Sequence, residues 1–238
     1  MFGLMARAKK EEHQPPAACC MGVDVPDSPF LNANRVARIN AGRYEEQEII
    51  GALRVVRAGD TVLELGAGLG IVGAVVARNM RPARVMSYEA NPDLIPHIEA
   101  LYTRNKLTDR ISVENRILWA GADRPEEVTL HVTNSFLGAS VIERQNRATR
   151  PVAVQTADFN RVVAKADVLI MDIEGAELDI LRSADLSRLR AMVLEFHPEA
   201  YGVEGMREAK AIVRDAGFQR IAPCSSRTVW ACEKVYEG

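Results

Sequence analysis

The sequence predicts an α/β fold on a mostly parallel sheet whose last strand runs antiparallel. Three observations carry that prediction. Short apolar, β-branched runs alternate with helical patterns from Thr61 onward. The first run passes directly into a glycine-rich turn, Gly66-Ala-Gly-Leu-Gly70, ahead of a helix. The final two runs are joined by so short a link that they must lie antiparallel.

Taken in order, residues 1–27 are rich in charge, Pro and Ala without an apolar period, and read as a disordered or loosely attached lead-in to one domain over 28–238. Ile39, Ile49, Ile50, Leu53 and Val56 recur at near-helical spacing, so one or two helices fill 28–58. Strands are predicted at Thr61 to Leu65, Arg84 to Tyr88 and Ile111 to Glu114, with helices from Ile71 to Asn79 and through His97 to Asn105. The rhythm then breaks. Val128 to Val132 and Val152 to Thr156 read as two strands of an insertion, about 126–157, around a polar segment. Alternation resumes with a strand at Asp167 to Met171, a helix from Ala176 and a strand at Ala191 to Glu195. A helix from Gly205 to Ala216 and the closing strands at Gln219 to Ala222 and Thr228 to Glu233 complete the chain.

The 238 residues suit a single α/β domain, and 47% apolar with 26% charged residues is globular composition. A net charge of −2 without long Lys or Arg runs argues against a nucleic-acid-binding protein. Cys19, Cys20, Cys224 and Cys232 lack zinc-site spacing and read as reduced thiols. No window resembles a signal peptide or a spanning helix, so the expected location is the cytoplasm, away from membrane.

Two stretches carry chemistry. In the first, Gly66, Ala67, Gly68 and Gly70 let the backbone approach a ligand at a helix N-terminus, and Glu89 ends the second strand where it can accept ribose hydroxyls. Glu64 places a carboxylate where it suits a methionine ammonium and repels a pyrophosphate. The second stretch is Asp172-Ile-Glu-Gly-Ala-Glu177, with Glu195-Phe-His197 on the next strand end. Asp172, Glu174 and His197 converging on one crevice suit removal of a proton from a hydroxyl or amine, with Glu174 or His197 as the base. Oxygen-rich groups of this kind also suit a divalent cation, but their spacing matches no dedicated cage and no metal is assigned. Glu177 reads equally as a charge favoured at a helix start.

These motifs, with Arg43-Tyr-Glu45 and Tyr88-Glu-Ala-Asn-Pro92, resemble the FkbM family of methyltransferases from about Arg43 to Ala222. Gly138-Ala-Ser-Val141 and Gln155-Thr-Ala-Asp158 are similar to that family as well. The resemblance implies a class I methyltransferase fold, Rossmann-like with a seven-stranded sheet, using S-adenosylmethionine. It implies O-methylation of a sugar, polyketide or other small metabolite. Carried onto this chain, the glycine loop holds the methionine end with Tyr44 nearby, and Glu89, Ala90 and Asn91 hold the ribose. Asn115 lies near adenine or ribose. The family usually has Asp where this chain has Glu64, and often Lys where it has Met171. Competing readings are an NAD(P)-dependent oxidoreductase, from Gly68-Leu-Gly-Ile-Val-Gly73, a protein-lysine methyltransferase, and a non-catalytic binding protein on the same fold.

Overall fold

The computed structural model describes residues 15–133 and 149–235. It opens with a hairpin of β1 (Ala18–Cys20) and β2 (Val23–Val25), followed by α1 (Ala33–Asn40) and α2 (Glu46–Val55). The expectation of a loose lead-in over 1–27 is therefore corrected for its described part. Met21 and Gly22, both at positive φ, turn the chain in two residues, the geometry that matches strand twist. Cys20 and Val23 are fully buried. The Asn105 side chain clamps Asp24 at both its N–H (2.9 Å) and its carbonyl (2.8 Å). A purely compositional reading misses strands of three residues. Cys19 and Cys20 point to opposite faces of β1, and all four cysteines are free thiols.

The main alternation is β3 (Thr61–Leu65), α3 (Ile71–Asn79), β4 (Arg84–Tyr88), α4 (Ile95–Arg104) and β5 (Ile111–Glu114). A small sheet interrupts it: β6 (Ile117–Trp119), β7 (Glu127–Thr133) and β8 (Thr149–Asp158). The expected hairpin is β7 against β8, antiparallel, and β6 adds to β8 in parallel. Gly138-Ala-Ser-Val141 lies outside the described residues. After α5 (Phe159–Val163) come β9 (Val168–Met171), α6 (Glu177–Ser183), β10 (Ala191–Glu195), α7 (Pro198–Asp215), β11 (Phe218–Arg220) and β12 (Val229–Lys234). The last long helix starts earlier than its apolar pattern indicates, because Pro198 can open a helix and Gly202 (φ 76°, ψ 169°) kinks it.

Seven strands form the main sheet in the order β11-β12-β10-β9-β3-β4-β5, with β12 antiparallel to both its neighbours and the remaining pairs parallel. The central strands are apolar on both faces, as a parallel sheet covered by helices requires. Val62, Val168, Ile170 and Val193 face the core under the hairpin, α2, α3 and α4. Leu63, Leu169, Met171 and Leu194 face the core under α5, α6 and α7. Strand order reverses between β3 and β9, so a crevice opens at their carboxyl ends. No helix among the described residues is long and apolar enough to cross a membrane.

Candidate active site

The crevice is set by contact between two loops. Gly66 follows β3 at φ 82° and donates its N–H to the Tyr88 carbonyl at 2.9 Å. A β-carbon built there would stand 1.6 Å from the Asp172 carbonyl oxygen, so the loop after β3 is pressed onto the loop after β9. Gly66, Ala67 and Gly68 line the resulting cavity, which has a volume of about 960 Å³. Gly70 instead sits at the N-cap of α3, packed towards Ile98 and Tyr102.

Glu89 ties the glycine loop to β4. Its two carboxylate oxygens accept from Gly68 N–H (2.8 Å) and Asn91 N–H (2.7 Å). Burial pushes the carboxyl up to about 6, opposed by backbone N–H groups of Asn91, Gly68 and Ala90 that favour the charge. Glu89 and Ala90 line the cavity. Asn91 and Asn115, expected at the cofactor, serve its frame and lie off the cavity wall. The Asn91 carbonyl oxygen accepts from Asp93 N–H, and the Asn115 amide donates to the Glu89 and Ala90 carbonyls.

Glu64 also departs from expectation. It reaches the cavity wall, yet its Oε2 accepts from the Ser87 hydroxyl beneath α3, and the Gly73 N–H also bonds to its carboxyl. A β-carbon on residue 73 would come within 2.3 Å of that oxygen. Gly73 thus makes room for a buried carboxylate, which explains the last glycine of the apparent dinucleotide motif. Burial raises the Glu64 carboxyl to about 7, against the Ser87 and Gly73 hydrogen bonds.

Acidic groups gather on the opposite wall. Tyr44 and Glu45 come from the approach to α2, Glu48 from its first turn, and Asp172 and Glu174 from the loop after β9. Glu45 (φ 42°) and Glu174 (φ 57°) both hold a left-handed backbone, which side chains rarely adopt and which concentrates at functional sites. Burial, then repulsion from Glu48, raises the Glu45 carboxyl to about 7. Burial, a hydrogen bond with Glu48 and the charge of Asp172 push Glu195 up to about 10. Burial likewise raises Asp172, with Glu45 repelling and His197 opposing the shift.

Behind this wall, Glu177 is 0% exposed. Its Oε1 accepts from Ile173 N–H (3.2 Å), Gly175 N–H (3.1 Å) and His197 Nδ1 (3.0 Å). The residue is therefore the bracket of the whole loop, more than a favourable helix-start charge. His197 does not line the cavity but stands one layer back, with Nε2 3.6 Å from Asp172 and 3.9 Å from Glu174. Desolvation opposes its charge, but the hydrogen bond to Glu177 and the fields of Glu177, Asp172 and Glu174 outweigh that and raise it to about 9.

The small sheet supplies apolar residues, Ile117, Leu118 and Trp119 from β6 with Val128 and Leu130 from β7, and Arg116 and Asp123 line the cavity beside them. Of these residues only Val128 and Leu130 lay in a strand expected from the sequence; β6 was not expected.

Comparison with solved structures finds a similar fold. The methylase of ribosomal protein L11 from Lactobacillus delbrueckii subsp. bulgaricus superposes with a TM-score of 0.50 at 14% identity, covering 81% of this chain and 79% of that one. A precorrin-6y C5,15-methyltransferase from Geobacter metallireducens gives 0.47 at 12% identity over 93% of this chain and 100% of its own. P. horikoshii TYW2, in complex with MeSAdo, gives 0.42 at 14% identity over 79% of this chain and 60% of its own. No curated protein matches the sequence. The methyltransferase FkbM domain matches residues 66–220, from the first glycine of the loop to the end of β11. On that match over most of its length, the chain belongs to the FkbM methyltransferase family.

Proposed function

We propose that the protein transfers the methyl group of S-adenosylmethionine to a hydroxyl of a small, uncharged or cationic metabolite. The observation that carries this reading is the division of one cavity into two walls. A glycine loop with Glu89 forms one, and a cluster of carboxylates forms the other. Backbone N–H groups at the start of α3 favour the donor's carboxylate, and Glu89 retains lone pairs for ribose hydroxyls. The apolar faces of Leu118, Trp119 and Leu130 suit the adenine ring. A volume near 960 Å³ is at the upper end for ligand sites and accommodates donor and acceptor together.

In the transfer, a lone pair of the acceptor oxygen attacks the methyl carbon in line with the breaking S–CH₃ bond. The bonding pair returns to sulfur, leaving a neutral thioether, and the hydroxyl proton passes to a carboxylate. Orientation of the two reactants supplies up to roughly 7–11 kcal/mol. His197 stands one layer behind the cavity wall, whereas Glu45 and Glu174 both lie on it and are the candidate proton acceptors. Glu45, Glu48, Asp172, Glu174 and Glu199 on one wall repel polyanions, which favours a metabolite over nucleic acid as acceptor. The buried Glu64 carboxylate under the loop disfavours a dinucleotide pyrophosphate.

Calorimetric titration with S-adenosylmethionine, S-adenosylhomocysteine and NAD in parallel tests the reading. Binding of the first two alone is expected. Binding of NAD alone would overturn it.

A further inference from the structure

We propose that Asp172, Glu174 and His197 form a binding site for a first-row divalent cation such as Mn²⁺ or Zn²⁺, with Glu177 aiming the imidazole. The His197 side chain is 10% exposed, and its Nδ1 is fixed by Glu177 at 3.0 Å. The other ring nitrogen, Nε2, has no hydrogen bond among the described residues. It faces Asp172 Oδ1 at 3.6 Å and Glu174 Oε2 at 3.9 Å. Those separations are too long for hydrogen bonds. They are close to the spacing of two ligands on one ion, since atoms about 2.1 Å from a shared tetrahedral centre stand about 3.4 Å apart.

Asp172 Oδ1 is itself buried and without a hydrogen-bond partner. One ligand atom each of Asp172, Glu177 and His197 lies within 4.8 Å of the others, and Glu174 stands beside this trio at 3.9 Å from His197 Nε2. A carboxylate on the far nitrogen is the arrangement that orients a metal-binding imidazole and fixes its tautomer. An imidazole among carboxylates favours Mn²⁺ or Zn²⁺ over Ca²⁺ and Mg²⁺, which prefer oxygen alone. The backbone supports the same geometry. Glu174 is held at φ 57° by the Gly175 N–H bond to Glu177, which is also the residue that holds His197.

Because Asp172 and Glu174 line the cavity, the ion's open positions face the acceptor. A hydroxyl bound there is more acidic, and with Glu174 engaged the proton goes to Glu45. That role in transfer rests on the methyltransferase reading; the binding itself does not.

The test is calorimetric titration of the full chain, stripped with a chelator, with Mn²⁺ and separately with Zn²⁺, in the absence of donor and acceptor. One ion per chain is expected, with affinity at least tenfold weaker in His197→Gln and in Asp172→Asn. Glu177→Gln should weaken binding about 10- to 100-fold although it need not touch the ion. Exposed Glu208→Gln should bind as the parent does. Electron spin echo spectra of the parent protein with Mn²⁺ should show coupling to one imidazole nitrogen, a readout independent of whether the variants fold. Absence of stoichiometric binding of either ion, or bound Mn²⁺ without nitrogen coupling, would overturn the proposal. S-adenosylmethionine binding by the same stripped protein tells failure of this site apart from failure of the methyltransferase reading.

Discussion

The carbonyl oxygen of Asp172 occupies the space that a side chain at Gly66 would need. The β-carbon position of residue 66 lies 1.6 Å from that oxygen. The glycine loop and the acid loop are therefore held together by backbone contact, and no flexible side chain can yield between them. Gly66→Ala adds both this clash and a strained φ of 82°. We expect a loss of about 3 kcal/mol or more in stability and no detectable donor binding, read by urea unfolding and calorimetry.

Glu89→Gln tests the bracket between β4 and the glycine loop. It removes the charge from the hydrogen bonds to Gly68 and Asn91 and would weaken the proposed ribose contact. Donor affinity should fall about 10- to 100-fold, from roughly 1.5–3 kcal/mol of charged hydrogen bonding. Unchanged affinity would remove Glu89 from the donor site.

Glu64 makes stability depend on pH. Its folded value of about 7 lies above the ordinary 4.5, so the folded protein holds that proton more tightly than the unfolded chain. The associated stability is complete below about pH 4.5 and is lost as pH rises through about 7. The difference corresponds to roughly 3 kcal/mol. Glu64→Gln, which still accepts from Ser87, should flatten the fall in melting temperature over that window.

Glu45→Gln and Glu174→Gln separate the two possible proton acceptors. Replacement of the true one should lower kcat about 10²- to 10⁴-fold with donor affinity nearly intact. Full turnover in both variants would remove a carboxylate base from the mechanism.

Much of the fold was legible because β3, β4, β9 and β10 are short runs rich in apolar residues set between helical patterns, and local pattern is what a parallel sheet writes into a sequence. The hairpin at Ala18–Val25 was not, since three-residue strands fall below any periodic window. At the site, Gly66, Glu89, Asp172 and Glu174 are placed by their position at strand ends. Asn91 and Asn115 share that position, but the Asn91 carbonyl oxygen and the Asn115 amide brace loops, which only coordinates reveal. Glu45 was missed as a site residue because its partners Asp172 and Glu195 lie far along the chain. Glu177 looks like any helix-start acid until its complete burial is seen.

The central pairing of β3 with β9 also sets a timetable. The Thr61 N–H is bonded to Asp167, 106 residues further on, and Glu45 meets Asp172 and Glu195 only after β10 exists. During synthesis the glycine loop leaves the ribosome well before its opposite wall. A growing chain has half a pocket and no catalyst until the sheet closes through its middle. Competence to react thus arrives late and all at once, so a truncated product ending before β9 is inert.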